Sequence, residues 1–426
     1  MAFTLYYKKE KVNRIVLRQE YKYIITLLLI MCIPLCMYSQ KKEIAEVKSC
    51  LKSGKNLDKA ETLMRKVIAM PEQNTQLECR FLLSEVMRKQ YEEVNELMYL
   101  KKMKDTTQMF NVLQRMFVSY ESLDSVDAMP DKKGNVRLKY RKKNAEYLNQ
   151  FRPNLFKGGM YFMRHKDMTN AYQYFDMYVD CHQQPLFSDM HYEKDDTLAN
   201  EAAYWALVAG HRIKDYSKIK KYELKALDYL PKAHFTIALL HESYMEQNDT
   251  AKAVAYLRKG FQEYPQHHYF FPRLVDYYVS QNQLDTVCQI VDRACELEPG
   301  NQFYRLARNT IQLNMSKYDE CIALGDSLIH VNDKMAEAYL NVGTAYFNKA
   351  LERNNSTTET KRSDVRKKRE EVTAFYEKAM PYIETYRTLR PRRKKQWAPM
   401  LYTIYLNLNK GEKFDEIDNL LKRSQE

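Results

Sequence analysis

Glycine and proline are scarce in this chain of 426 residues, which holds 10 and 12 of them. So few of either excludes a collagen-like, linker-rich or turn-rich all-β protein. An apolar fraction of 45% also excludes a wholly disordered one. Several chemical signatures are missing as well. No C-x-x-C pair occurs, so zinc-knuckle and thioredoxin-like readings fail. There is no G-x-S-x-G elbow, no phosphate-binding glycine loop and no dinucleotide fingerprint, and His241-Glu242 lacks the second His of a zincin motif. The expectation is a non-catalytic protein that needs no metal and no cofactor. What is abundant instead is Leu, Met, Lys, Glu, Gln and Ala, the residues that cost least to place in a helix.

The N-terminus is set apart by its charge and apolar pattern. Lys8, Lys9, Lys11, Arg14, Arg18 and Lys22 form a basic leader, offset by Glu10 and Glu20. An apolar stretch runs from Tyr23 to Met37 and ends in Tyr38-Ser39-Gln40. That order is the order of a secretory signal peptide. The expected signal segment is therefore 1–40, with an uncleaved inner-membrane anchor as the alternative, since a stretch of this length is near the lower limit for spanning a bilayer. Met31 and Leu35 precede Cys32 and Cys36, where a lipoprotein box needs a small residue. The protein is expected to be exported and periplasmic or inner-membrane associated.

Beyond the leader lie Cys50, Cys79, Cys181, Cys288, Cys295 and Cys321. Their dispersion in apolar settings reads as small buried side chains rather than a disulfide framework. Cys288 and Cys295 would stand about 10 Å apart along one helix, too far to bridge.

A repeat dominates the rest. Ile237, Leu240 and Tyr244 share one helical face, and a second periodic run follows with Ala253, Leu257 and Gly260, closed by Pro265. Thirty-four residues on, the pattern returns as Phe271, Leu274, Tyr278, Val287, Val291, Ala294 and Pro299. Thirty-four residues back it reads Ala203, Ala206, Gly210, Ile219, Ala226 and Pro231. Starts at 200, 234, 268, 302 and 336 keep this spacing without slippage. Each apolar face follows i, i+3, i+4, i+7, so every helix is amphipathic and none is stable alone. Related patterns begin at Lys41, Thr75, Arg152 and Lys394, with a degenerate one over Met109–Tyr147 in which Asp124–Asn135 serves as a linker.

Spacing and identities together resemble the tetratricopeptide repeat, and with the Ser39-Gln40 exit they resemble exported members of that family from Bacteroidota. The resemblance covers nearly everything after Gln40 as about ten repeats. It implies an all-α fold, an alpha-alpha superhelix of antiparallel helix pairs. The expected organisation is N-terminal, partly degenerate repeats over 41–150 and a main array over 151–369, with C-terminal repeats and a cap over 370–426. Insertions at 186–199 and 351–369 interrupt the main array. The first, with Asp189, His191, Glu193, Asp195 and Asp196, reads as an acidic loop without calcium-loop spacing. In the second, the Ser/Thr part reads as a loop, and the run Lys361–Arg369 either continues it or prolongs the following helix.

In such a solenoid the first helices line the concave side. Positions 2, 5, 9 and 12 then point inward. They are Phe235, Ala238, Glu242 and Met245; Tyr269, Pro272, Asp276 and Val279; Phe303, Leu306, Thr310 and Leu313; and Glu337, Leu340, Thr344 and Phe347. Upstream the same register gives Phe156, Met160 and Met163, then Tyr204, Val208 and His211. The expected groove residues are Phe235, Glu242, Met245, Tyr269, Asp276, Phe303, Leu306, Leu340 and Phe347. Family members that grip a C-terminal carboxylate use Lys, Asn and Arg, whereas Glu242 and Asp276 stand here, so a basic or apolar partner segment suits the groove better.

The leading reading is a scaffold that binds a protein or peptide. The alternatives are a membrane-anchored sensory module, or a binder of an anionic polymer through Lys132–Lys143, Lys361–Arg369 and Arg387–Lys395. The last needs the basic stretches to converge on one face. Nucleic acid is not an expected partner.

Overall fold

A computed structural model describes residues 41–426 except 71–76, 103–104, 132, 193–195, 357–361 and 423–426. The expected signal segment 1–40, Pro71, Lys132, Glu193, Asp195 and the Ser/Thr run from 357 lie outside the described residues. Among the described residues every regular element is helical and no strand occurs. They form two compact units, one up to Ser243 and one from Tyr244.

In the first unit the helices are α1 (41–53), α2 (Leu57–Ile68), α3 (Leu77–Tyr99), α4 (Thr106–Asp127), α5 (Arg141–Asn149), α6 (Arg152–Arg164), α7 (Met168–Asp180), α8 (Ala199–Arg212) and α9 (Tyr216–Leu227). Helix α10 (Ala233–Glu246) runs across the division. The second unit continues with α11 (Thr250–Glu263), α12 (Phe270–Ser280), α13 (Leu284–Leu297), α14 (Gln302–Asn314), α15 (Tyr318–Val331), α16 (Ala336–Asn355), α17 (Arg362–Leu389), α18 (Lys394–Asn407) and α19 (Gly411–Lys422). Successive helices pair antiparallel. Helices α8, α10, α14 and α16 begin within one residue of the starts read from the sequence, and α12 begins two residues late.

The turn inside each of the pairs α8/α9, α10/α11, α12/α13 and α14/α15 is built the same way. Lys214, Asn248, Asn282 and Ser316, spaced by 34, are left-handed, with φ of 56°, 60°, 55° and 58°. The next residue's N–H then bonds the carbonyl five positions back. Asp215 reaches Gly210 at 3.0 Å, and Asp249, Gln283 and Lys317 reach Tyr244, Tyr278 and Gln312 at 2.9 Å. This closure satisfies carbonyls that a helix end otherwise orphans and reverses the chain in a few residues. Asp215 and Asp249 next cap the second helix, accepting from the N–H of Lys218 and of Lys252. Proline acts at the other boundary, where Pro265 and Pro299 follow the ends of α11 and α13.

Close approach of the pairs depends on missing side chains. A Cβ at Gly343 of α16 would sit 2.5 Å from Cδ1 of Ile383 in α17, and one at Gly260 2.3 Å from the Phe270 ring. Tyr278 fills a wider gap, and its hydroxyl accepts from Nε of Arg258 at 2.5 Å. Cys50, Cys79, Cys181, Cys295 and Cys321 are buried, Cys288 is half-buried, and all six are free thiols. Trp397 is core, while Trp205 is half-buried with its Nε1 donating to Glu201 at 3.2 Å.

The N-terminal region departs from the expected register. The pattern from Thr75 does not fold into its own helix pair, because Leu77–Tyr99 is one helix of 23 residues. It contains neither Gly nor Pro, and Tyr91 and Val94 are buried along its length rather than beyond a turn. Its partner is α4, of 22 residues, and Asp124, expected in a linker, lies inside α4. There it receives two hydrogen bonds of 2.8 Å from Arg141 of α5. The described helices thus make nine pairs, with α5 packed against the segment at 185–190, where about ten repeats were expected. In the second unit, the charged run after residue 361 prolongs α17 to 28 residues.

The insertion at 186–199 is not a plain acidic loop. Leu186 and Phe187 are buried in a 3-10 turn over Pro185–Met190. Asp196 is buried, 2.5 Å from Nη2 of Arg152 and 2.8 Å from Nε2 of His182, and accepts from the Tyr178 hydroxyl at 2.8 Å. The Arg152 guanidinium lies 3.9 Å from the ring centres of both Tyr178 and Tyr192. Burial alone would raise the Asp196 pKa. The hydrogen bonds from His182, Arg152 and Tyr178, with the Arg152 charge, outweigh it and hold the carboxyl well below its usual range.

Two stability predictions follow from these contacts. At Ser316, Gly relieves the left-handed strain and Val increases it, so Ser316→Gly should stabilise the fold and Ser316→Val destabilise it, each by about 1 kcal/mol, with the melting temperature moving accordingly. Circular dichroism melts check the order Gly, Ser, Val. Asp196→Asn strands a buried guanidinium and should cost about 3–5 kcal/mol at neutral pH. Because the folded-state pKa is depressed, the Asp196 contribution is complete above about pH 4 and is lost as pH falls through the folded value. Urea midpoints of parent and variant should therefore stay apart down to about pH 4 and converge only as pH is lowered further, toward the folded-state value.

Candidate functional site

The inward positions divide into those used for packing and those left to solvent. Three of the nine expected groove residues are large apolar side chains that stay open: Phe235 is 44% exposed, Met245 45% and Phe303 55%. Val279, at another inward position, is 42% exposed. Asp276 is exposed, and Glu242, Tyr269, Leu306, Leu340 and Phe347 are half-buried. Leu340 and Phe347 pack against the core that α16 shares with α17 and α18, Phe347 lying 5.8 Å from the Tyr376 ring centre. Upstream, Phe156 packs on Phe175 at 5.5 Å and Tyr204 is buried.

Polar residues at and beside the inward positions meet across neighbouring pairs. In the first unit, Nδ1 of His211 is 3.0 Å from the Ser243 hydroxyl and its Nε2 3.6 Å from the Glu242 carboxylate. In the second, Asn341 donates at 2.9 Å to both Asn309 and Thr310, which links α16 to α14. Asn309 in turn donates to the Cys321 carbonyl at 2.6 Å. Such buried amides fix how the helices register, because an unmatched one costs more than an apolar contact gains.

Between α12 and α14 the arrangement is different. Phe271, Pro272, Phe303 and Tyr304 line a cleft of about 680 Å³, which His268 and Glu298 also border. The Phe271 ring centre is 5.7 Å from that of Phe303 and 4.7 Å from that of Tyr304. The Tyr304 hydroxyl donates to the Pro265 carbonyl at 2.7 Å, which fixes the ring. Phe303 and Pro272 are inward positions of successive repeats. The register read from the sequence therefore found two walls of this cleft. It did not find Glu298, which caps the end of α13 outside any first helix. Nearby, the Arg273 guanidinium lies 3.8 Å from the Tyr269 ring centre.

The basic stretches of the second unit do not converge. Residues 362–369 and 387–395 lie at opposite ends of α17, a helix of 28 residues and so about 40 Å long. Part of the charge is also committed, since Arg387 pairs with Glu416 and Arg390 with Glu337. Among the described residues no group of three or more His, Cys, Asp or Glu is placed to hold a metal ion. No described helix is long and apolar enough to cross a membrane; Tyr23–Met37 lies outside the described residues.

No protein-family model and no curated protein matches the chain. Solved structures do. The C-terminal part of a TPR repeat-containing protein from Cytophaga hutchinsonii aligns at 9% identity and a TM-score of 0.39, covering 62% of this chain and 92% of its own. A tetratricopeptide repeat protein from Parabacteroides merdae aligns at 16% identity and a TM-score of 0.31, covering 65% and 100%. A TPR repeats protein from Bacteroides fragilis aligns at 13% identity and a TM-score of 0.27, covering 63% and 98%. The helix pairs of this chain, their interval of 34 residues and their left-handed turns make its fold a helical repeat of the tetratricopeptide type.

Proposed function

We propose that the protein is an exported, non-catalytic helical-repeat scaffold that holds a segment of a protein partner along the inward positions of its first helices. The observation that carries this reading is the exposure of Met245, Val279 and Phe303 at 45%, 42% and 55% on first helices of successive pairs in the second unit. Large apolar side chains left in solvent at successive register positions are candidate contacts for a partner, and aromatic ones supply the most energy when covered. Export is supported by the basic leader, the apolar stretch and the Ser39-Gln40 exit.

Affinity capture from periplasmic and membrane fractions, with the parent and with Tyr269→Ala/Phe303→Ala, tests the groove. Phe303 is more than half exposed, so the double variant should remain folded by circular dichroism while a partner captured by the parent is lost. Equal recovery by both proteins would show that the partner binds elsewhere. The N-terminus of the recovered protein should lie near Gln40, and retention of Tyr23–Met37 would show an anchor instead.

A further inference from the structure

The cleft between α12 and α14 has a composition that an ordinary apolar pocket does not need. Beside its aromatic walls stands one carboxylate, Glu298. Oε2 of that carboxylate accepts from Nδ2 of Asn301 at 2.8 Å, whereas Oε1 is shut away from solvent and has no hydrogen-bond partner among the described residues. A sequestered carboxylate oxygen costs free energy unless a donor meets it, and a charged donor meets it best.

The chain's own arginines near the cleft are engaged elsewhere. Arg273 of α12 stacks on Tyr269, Arg305 of α14 donates to Ser327 at 2.9 Å, and Arg308 pairs with Asp292 at 3.0 Å. The first unit shows what these groups accomplish together. There a guanidinium lies against the rings of Tyr178 and Tyr192 at 3.9 Å and pairs with Asp196. The cleft offers the same chemistry, with Phe271, Phe303 and Tyr304 as rings and Glu298 as the carboxylate.

We infer that the cleft between α12 and α14 is the subsite for an arginine side chain of the bound segment, its guanidinium flat against the aromatic wall and paired with the Glu298 carboxylate. This rests on the groove reading above and names the chemistry of one residue of the partner. Arginine fits better than lysine because a planar fork can stack on a ring and meet a carboxylate edge at once, which a compact ammonium cannot.

The test uses a phage-displayed random nonapeptide library selected against the mature chain, followed by fluorescence anisotropy with the enriched peptides. The enriched sequences should share an arginine. Replacing it with citrulline, which keeps the shape and removes the charge, should weaken binding about tenfold to hundredfold. Glu298→Gln should weaken the arginine peptide by a similar factor, and the two changes combined should add little. The citrulline exchange leaves the protein untouched, so a folding defect in the variant cannot imitate the result.

Unchanged affinity with citrulline or with Glu298→Gln overturns the arginine subsite. If such peptides still lose binding with Phe303→Ala, the groove stands and only the cationic subsite falls. If no peptide is enriched over a control protein, or if binding ignores Phe303, Tyr269 and Glu298 alike, both readings fall.

Discussion

The left-handed residue that ends the first helix in most of the described pairs governs the rest of the structure. Neither helix of a pair can hide its apolar face alone, so the chain must bring the second back onto the first at once. At Lys214, Asn248, Asn282 and Ser316 it does so through one backbone conformation and one closing hydrogen bond. The same closure recurs outside the strict register, at Lys166 and Asn409, where Asp167 and Lys410 bond the carbonyls of Phe162 and Tyr405. Because the reversal is the same each time, the same positions of each second helix meet the first. The buried residues Ile219, Ala253, Val287 and Cys321 are successive examples. None of the four turn residues is glycine. The strain each accepts is small beside the burial it permits, which is why the scarcity of glycine does not prevent a chain so rich in turns.

What could be read from the sequence was what recurs. A period of 34 places Leu240, Leu274 and Val342 in cores of separate pairs, and all three are fully or almost fully buried. The signal comes from local amphipathicity repeated many times, so errors at single residues average out. The N-terminal region lacked that protection. Between Leu77 and Tyr99 the apolar residues sit on a helical face whether or not a turn intervenes, and the absence of Gly and Pro lets one helix continue. Asp196 and Arg152 were unreadable for another reason. They are 44 residues apart, and Asp196 belongs to an insertion that occurs once, so no period ties the acid to the base.

The groove was legible as a register but not as a surface. Positions 2, 5, 9 and 12 identify a side of each first helix, yet the next helix decides whether that side stays open. Phe347 is drawn into the core of the C-terminal pairs because the long α17 brings Tyr376 against it. Thr310 is taken by Asn341, a residue that is not at an inward position at all. Phe303, one repeat before Phe347, meets the rings of Phe271 and Tyr304 yet remains more than half exposed. Three inward positions thus give a half-buried packing residue, a polar contact and an open ring.

These outcomes also explain where a binding surface can persist on such a chain. At the junction of α14 with α16, a ladder of Asn309, Asn341 and Thr310 satisfies the polar atoms and ties the two first helices together. The junction of α12 with α14 has no such ladder; aromatic rings take its place, held in part by the Tyr304 bond to Pro265. Rings fill space without satisfying a polar neighbour, so the carboxylate at the end of α13 keeps one oxygen unmatched. A repeat that had completed its own hydrogen bonds there would have gained stability and lost the feature a partner could recognise. Unspent polarity beside exposed aromatics is what separates this junction from that of α14 with α16, whose polar side chains are spent on one another.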